Sequence, residues 1–587
     1  MKSTLPSKIT GMLIFLALVG DLWALDEGLP GSVLPEQVSK SLSRPPPSIT
    51  TPTQGQIVQP KPPPPSPMMA AAQKIKFKLN AIVLTGNHVF TAEQLLPIYK
   101  DKLHKVISVA DLFQIVQDIT NYYRNSGYII SRAILPPQHV KNGTIKVQII
   151  EGYLDKVYVS GDPQGAKCLV KAFGKQIARK RPLQLSRMQY YLTLANEIPA
   201  TGVKAVLAPS KTNVGAADLT LETTNRLLSG YVSYDNYGTL YIGPQQMTAN
   251  LGLNSLLSSG DLTQATFTKT PRGTELTYTD INYNGAIDDE GRRWLVGVTR
   301  AHTHPLFVLQ PQEVDGVNLN YYTNVQFPII REPTKTLNVQ TSFNYLDSAV
   351  NNFGNQQLYT DHLRSVGLSA NYNFSDSWYG ANMMNFELRQ GLPLFGYTTN
   401  TDPETAQTSR PGGRGDYTKF DMVMSRLQAI YGHFSLFGIF KGQWAFNPLL
   451  ASEQFTYGGS QLGRGYDVAE IIGDKGMAGS VEGRYDLTLQ KYYIQNIQFY
   501  VFYDAGGMWN YKRVVGVPTK QTALSTGLGA RFAMMRWVSG NIMWAQPLTK
   551  QVLALTETSQ VVVNGITVNR GNGAAPRVFF SVVAQLD

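Results

Sequence analysis

From Leu227 to the C-terminus, apolar and polar residues alternate with a period of two. In "VNLNYYTNVQF" (317–327), Val317, Leu319, Tyr321, Thr323, Val325 and Phe327 interleave with Asn318, Asn320, Tyr322, Asn324 and Gln326. "LNVQTSFNY" (337–345) and "VGLSANYNF" (366–374) repeat the pattern. Successive side chains of a strand point to opposite faces, so each segment has one apolar, aromatic-rich face and one face of small polar groups. About sixteen such runs follow one another, an even number as expected of a single-chain bacterial barrel. They lie near 229–237, 244–255, 261–270, 273–285, 292–302, 317–327, 335–347, 361–374, 377–390, 416–431, 434–446, 476–490, 495–505, 522–534, 536–546 and 575–586. The pattern predicts a transmembrane β-barrel over 225–587, apolar toward lipid and polar toward a wet lumen. A soluble sandwich or β-helix also alternates, but its outer face would carry more Lys and Glu. Two long connections stand out, at 391–415 and 447–475.

Residues 75–224 follow a different period. "KFKLNAIVLTGNHVF" predicts a strand ending in a Gly-Asn turn. Ser108, followed by Asp111, then signals a capped helix. Its apolar face carries Leu112, Ile115, Val116, Ile119 and Tyr123. "SGYIISRAILP" and "GTIKVQIIEGYLDKVYV" read as strands. A second pass begins at "KVYVSG" (156–161), runs through a helix near 185–196 and ends in "VKAVLAPS" and "ADLTLETT". Two small α+β units in series are expected, split near 153/154.

The first 74 residues fit neither pattern. Lys2 and Lys8 precede the apolar run "ITGMLIFLALVG" (9–20), and "LWA" ends in a small residue at Ala24. That is the layout of a secretory signal over 1–24, and the run is short for a spanning helix. Between 25 and 74, "RPPPS" and "QPKPPPPSP" favour extended polyproline II spacers. Ahead of them "LPEQVSKSLSR" (34–44) predicts one short helix.

Composition narrows the partners. Charged residues make up 16% of the 587 positions, below the usual quarter of a soluble protein. The net charge of +11 would allow nucleic acid. The basic residues look thinly spread, with no dense run and no basic helix carrying aromatics, so no nucleic-acid partner is expected. The single cysteine, Cys168, excludes an internal disulfide and reads as a small buried apolar residue.

No catalytic constellation emerges, and no metal or cofactor is expected. "HTH" (302–304) puts two His on one strand face, too few to close a metal site and best read as a solvated pair. "DDE" (288–290) reads as a solvated turn tip. No nucleophile elbow and no phosphate-binding loop are present. What remains is Arg464 between two glycines in "GRGYD", within the 447–475 connection, and Asp504 in "FYDAG" (502–506). A charge facing lipid costs several kcal/mol, so Asp504 should point into the lumen, where an arginine fork suits a carboxylate. From pattern alone two readings stand: an ion pair, or two separately hydrated groups.

The order of segments resembles the outer-membrane transporters of two-partner secretion, the TpsB branch of the Omp85 superfamily, over essentially the whole mature chain. "GYIISRAILPPQHVKNGTIKVQIIEGYLDKVYVSG" (127–161), with Gly127, Tyr128, Glu151 and Gly152, looks like the first POTRA domain of that family. The second repeat resembles its second POTRA domain. Arg464, Gly465 and Tyr466 match the family's loop signature, and Phe502, Asp504 and Gly506 its strand motif. The resemblance implies that Arg464 pairs with Asp504 and that 34–44 is a plug helix. It further implies POTRA 1 at 75–153 and POTRA 2 at 154–224, both in the periplasm of a Gram-negative cell, with the barrel in the outer membrane. Implied partners are a large secreted exoprotein, the surrounding lipid and a barrel assembly machinery. An insertase of the same superfamily and a porin with periplasmic handles are the alternatives. Two departures are visible: Gly463 stands where the family usually has Val or Leu, and the chain ends in Asp587 rather than an aromatic.

Overall fold

A computed structural model describes residues 29–43, 57–58, 73, 75–161, 165–271, 273–399, 407–489, 493–511, 518–535, 537–557, 560–563, 566–569 and 573–586. The expected signal segment 1–24, both proline runs and Asp587 lie outside the described residues.

Sixteen antiparallel strands close into a barrel. They are β1 Leu228–Asp235, β2 Gln246–Asn254, β3 Leu262–Lys269, β4 Leu276–Ala286, β5 Arg293–Thr303, β6 Asp315–Glu332, β7 Lys335–Asn352 and β8 Gln356–Ser375. The second half comprises β9 Gly380–Gly391, β10 Thr418–Tyr431, β11 Phe434–Ala445, β12 Lys475–Thr488, β13 Ile494–Trp509, β14 Lys520–Met534, β15 Val538–Pro547 and β16 Arg577–Gln585. The dyad sets the faces as expected: Tyr321 and Leu368 are exposed on the outside, while Asn318, Thr299 and Ser425 are buried within. Neighbouring strands pair in sequence order, and β1 meets β16 over five residues, Tyr231–Asp235 with Ser581–Gln585. The β7–β8 ladder spans eighteen pairs, so the closing seam is sparsely hydrogen-bonded by comparison.

The two α+β units precede the barrel. In the first, Ala81–Thr85 runs parallel to Thr144–Ile150, which pairs with Arg132–Ile134. The long strand expected from 76 onward is broken in two, and a helix, Ala92–Tyr99, follows with Pro97 inside it. The Ser108 helix spans Val109–Asn125. Its cap is reciprocal: Asp111 N donates to Ser108 Oγ at 3.1 Å and Ser108 N to Asp111 Oδ2 at 3.0 Å. Those bonds hold the Asp111 carboxyl down to about 2. All five expected face residues are buried, against Ile145 and Val147. In the second unit the expected helix spans Leu185–Asn196. A further helix, Lys167–Ala178, was not expected, although Leu169, Val170, Phe173 and Ile177 give it one buried face.

Four readings are corrected here. Cys168 is exposed, because it lies on the outer side of the Lys167–Ala178 helix. The 288–290 turn is not a free tip: Gln176 Nε2 donates to Asp289 Oδ2 at 2.8 Å, and Arg292 ion-pairs with Asp288 and Glu290. The basic residues are not all thinly spread, since a row of them occupies the Lys167–Ala178 helix. Finally, part of the proline-rich segment joins a sheet: Ile57 and Val58 pair in parallel with Ala205 and Val206 on the edge strand Thr201–Pro209. Both strand residues lie between the proline runs, where backbone donors are free.

The second unit is fastened to the rim at which the chain enters the barrel. Leu169 N donates to Ser259 Oγ at 3.1 Å, in the turn between β2 and β3. Tyr190 OH donates to Pro328 O at 2.8 Å, and Arg331 pairs with Glu197.

Candidate functional site

The connection between β11 and β12 does not project from the barrel; it folds back inside. A short antiparallel stalk, Phe455–Tyr457 with Ile471–Gly473, carries it inward. The tip turns on Gly458, Gly459 and Gly463, whose φ values of +117°, +111° and +74° lie in the region that favours glycine. A Cβ at Gly463 would lie 2.7 Å from the Tyr457 ring. Val or Leu at that position would therefore strain this tip, and the departure from the family pattern fits the geometry seen.

Arg464 is 3% exposed, at the end of this turn. Its backbone N donates to Asp504 Oδ2 at 2.9 Å, its Nε to the same oxygen at 3.0 Å and its Nη2 to Oδ1 at 2.6 Å. Nη2 also donates to Ser480 Oγ at 2.7 Å, and Nη1 pairs with Glu482. Phe502, Asp504 and Gly506 are two residues apart on β13 and share its inner face. Each meets the loop differently. The Phe502 ring lies 3.6 Å below the guanidinium carbon. Asp504, fully buried, takes the fork. Gly506 leaves room for Tyr457, whose ring a Cβ would approach to 2.3 Å. Gly465 is pressed against the wall, where a Cβ would come 2.8 Å from Pro547 N. Tyr466 OH donates to Leu524 O at 2.8 Å.

Further charges seat the same loop. Glu482 on β12 faces three guanidinium groups, those of Arg464, Arg484 at 2.7 Å and Arg531 at 3.1 Å. Asp467 pairs with Arg577 at 2.7 Å and Glu470 with Lys550 at 2.7 Å. At the loop's root Asp474 pairs with Arg410 and accepts from Leu449 N and Tyr511 N. Sequence reasoning missed Glu482, Arg484 and Arg531. The signal was available for Glu482 and Arg484, because charges in "VEGRYD" (481–486) within a barrel strand must face the lumen, and for Arg531 in "GARFAM" on the same ground.

The helix Pro35–Leu42 lies in the same lumen. Glu36 accepts from Ser348 Oγ at 2.7 Å and Tyr359 OH at 3.0 Å. Thr303 Oγ1 donates to Val33 O at 3.2 Å, and Lys40 Nζ to Gln454 O at 2.9 Å. The helix is thus bound both to the wall and to the inward loop. A cavity of about 200 Å3 remains between the two, lined in part by Lys40, Gly458, Gln461 and Lys441.

Gly127, Tyr128, Glu151 and Gly152 lie far along the chain from this site, at the joint of the two α+β units. Glu151 Oε1 accepts from His88 N and Val89 N at 2.7 Å and from Tyr123 OH at 3.0 Å. Leu183 N donates to Gly152 O at 2.9 Å and Leu185 N to Gly127 O at 2.8 Å. Tyr128 OH accepts from Gln184 at 3.4 Å. His302 and His304 both approach Asp315, at 3.0 and 3.8 Å, half-exposed at the end of β5. Among the described residues no cluster could hold a metal ion.

Comparison with known proteins now adds to this geometry. Residues 77–152 match the POTRA domain, ShlB-type, and residues 215–532 match the haemolysin secretion/activation protein ShlB/FhaC/HecB family. The chain belongs to the ShlB/FhaC/HecB family. This ShlB-family chain is 24% identical over 500 residues to the heme/hemopexin transporter protein HuxB of Haemophilus influenzae strain 86-028NP, covering 82% of the chain and 85% of HuxB. It is 24% identical over 463 residues to the outer membrane transporter CdiB of Dickeya dadantii, covering 76% and 78%. Its fold is similar to that of CdiB from Escherichia coli, with a TM-score of 0.67 at 15% identity over the full length of both chains. CdiB from Acinetobacter baumannii gives a TM-score of 0.59, covering 91% and 95%. ShlB-family chains are transporters of the outer membrane, with POTRA domains in the periplasm.

Proposed function

We propose that this chain is the pore through which one large unfolded exoprotein leaves the periplasm, and that the inward loop and the Pro35–Leu42 helix fill that pore at rest. One observation carries the reading. The lumen of a sixteen-stranded barrel is wide enough for an aqueous channel, and here two segments fill it, held to the wall by hydrogen bonds and ion pairs beside apolar packing. Water and a passing polar chain can replace the polar contacts.

Sheet edges of the POTRA units would take an extended client segment by β-augmentation, where backbone bonds give affinity with little demand on sequence. The Thr201–Pro209 edge is occupied by Ile57–Val58, so linker and client would compete for it. Residues 1–24 would direct the chain to the periplasm, and a barrel assembly machinery would insert it into lipid. Arg464, Gly465 and Tyr466 act as a latch whose catch is Phe502, Asp504 and Gly506. Folding of the client outside supplies the drive.

The test is deletion of this chain in a cell that carries its exoprotein. The reading predicts exoprotein retained in the periplasm, with other outer-membrane proteins and small-solute permeability unchanged. A general loss of outer-membrane proteins would favour an insertase, and lowered solute uptake with normal secretion a porin.

A further inference from the structure

Lys167, Lys171, Lys175 and Arg179 recur at intervals of four along the Lys167–Ala178 helix and its C-cap, and Lys180 and Arg181 follow directly. Helical residues four apart are neighbours at about 5–6 Å, so the first four form a row that winds about 120° around the helix from Lys167 to Arg179. All six are exposed. From Gln164 to Asn196 the chain holds no Asp or Glu. None of the ion pairs among the described residues includes any of the six. Like charges four residues apart repel, and the helix is already held by its apolar face in the core. Arg181 stacks over the Tyr153 ring at 4.1 Å and Lys180 donates to Gln184 Oε1 at 3.2 Å, but packing does not account for the row of four.

Its position points to a partner. Leu169 N and the Gln176 side chain fasten this helix to the β2–β3 and β4–β5 turns of the barrel rim. At about 100° per residue, Arg179 lies about 60° around the helix from Gln176 and Lys175 about 100°. Lys171 lies about 140° away and Lys167 about 180°, so the C-terminal half of the row flanks the rim contact and the whole row lies on the side away from the core. On the same turns Leu256, Leu257 and Ile287 are exposed, as is Ile329 of β6 near the same rim. Exposed large apolar side chains beside charged ones at a barrel's end suit the boundary between acyl chains and headgroups. That boundary at the rim puts the headgroup phosphates near the level of the basic row.

We propose that this helix is a docking surface for anionic phospholipid headgroups of the periplasmic leaflet, holding POTRA 2 against the membrane. Each basic group near an anionic surface adds attraction, and salt screens it over a Debye length of about 10 Å at 0.1 M. The carboxylates of the adjoining 288–290 turn are engaged by Gln176 and Arg292 and leave the row unpaired, and a row winding over an open helix face offers an extended anionic surface more contacts than a single protein pocket.

Cys168, the chain's single cysteine, is exposed on this helix and gives a native labelling site. The full chain, labelled there with bimane, is placed in nanodiscs of phosphatidylcholine with or without phosphatidylglycerol. Each disc carries a trace of headgroup-nitroxide lipid as quencher. The expected result is roughly twofold stronger quenching with phosphatidylglycerol at low salt, reversed by added salt. The triple variant K171E/K175E/R179E should lose it while keeping a heat-modifiable barrel. Equal quenching of the wild-type chain in both discs would overturn the proposal, whatever the variant does. So would shielding of the dye by the exoprotein's secretion domain alone, which would assign the row to the client.

Discussion

The POTRA cores and the barrel lumen are both buried, but the lumen adds buried charges to its own apolar clusters around Tyr457 and Val38. In the first POTRA unit Leu112, Ile115, Ile119, Ile145 and Val147 exclude water with apolar surface alone. In the lumen, Arg464, Asp504, Glu482, Asp474 and Glu36 are just as buried, and each is satisfied by charge or hydrogen bonds. An apolar core gains from permanent burial and is costly to open. A buried ion pair has given up hydration to form, so its net contribution is small while removal of one partner is severe. On the proposed function, the polar part of this closure exchanges its partners for water or a polar chain, whereas the apolar clusters around Tyr457 and Val38, like the POTRA cores, must be uncovered to open.

Breaking the lumen side should have the largest effect. Arg464→Ala leaves Asp504 and Glu482 buried without their main cation, a cost of about 3–5 kcal/mol. Loop 447–475 should then become cleavable by protease added to intact cells, with secretion down at least about tenfold, since a 1.4 kcal/mol loss is already tenfold. On the core side, Ile115→Ala should cost about 2–4 kcal/mol of cavity and transfer energy. Its readout is a lowered unfolding transition of the periplasmic unit, with the loop still protected. A third change sharpens the contrast without touching a charge. Gly506→Ala puts a Cβ 2.3 Å from the Tyr457 ring, an overpacking cost of about 1–3 kcal/mol. It should loosen the loop partially, between wild type and Arg464→Ala in the same protease assay.

The smallest effect belongs to the Asp111 cap. Its carboxyl is lowered from 3.8 to about 2 by the Ser108 bonds. The stabilisation is complete above 3.8 and fades as pH falls toward 2. The side chain is about 39% exposed, so Asp111→Asn should cost less than about 1 kcal/mol. Its unfolding transition should converge with wild type at the acid end.

The sequence carried the barrel plainly, because a period of two sustained over many strands has one physical cause, a wall with two different sides. The Val109–Asn125 helix was equally plain from its cap and face. The Lys167–Ala178 helix escaped notice although its apolar spacing was there, and with it the gathering of basic residues on one side. Ile57–Val58 escaped for another reason: a two-residue strand has no periodicity, and only the waiting edge at Ala205 and Val206 defines it. At the candidate site, Arg464 and Asp504 could be singled out as charges in an apolar context. Their proximity depended on the path of a long loop, which no local pattern encodes. Glu482 carried the same signal, but its three arginines come from the loop, β12 and β14, which no local pattern links.

The central claim is that Asp504 holds the inward loop for secretion and not for building the barrel. Asp504→Ala, expressed with the exoprotein, tests it by comparing surface exoprotein with the amount of heat-modifiable barrel in the outer membrane. The account predicts a normal amount of inserted barrel and a large loss of exoprotein from the surface. Unchanged secretion by that variant, or loss of the barrel itself, would contradict it.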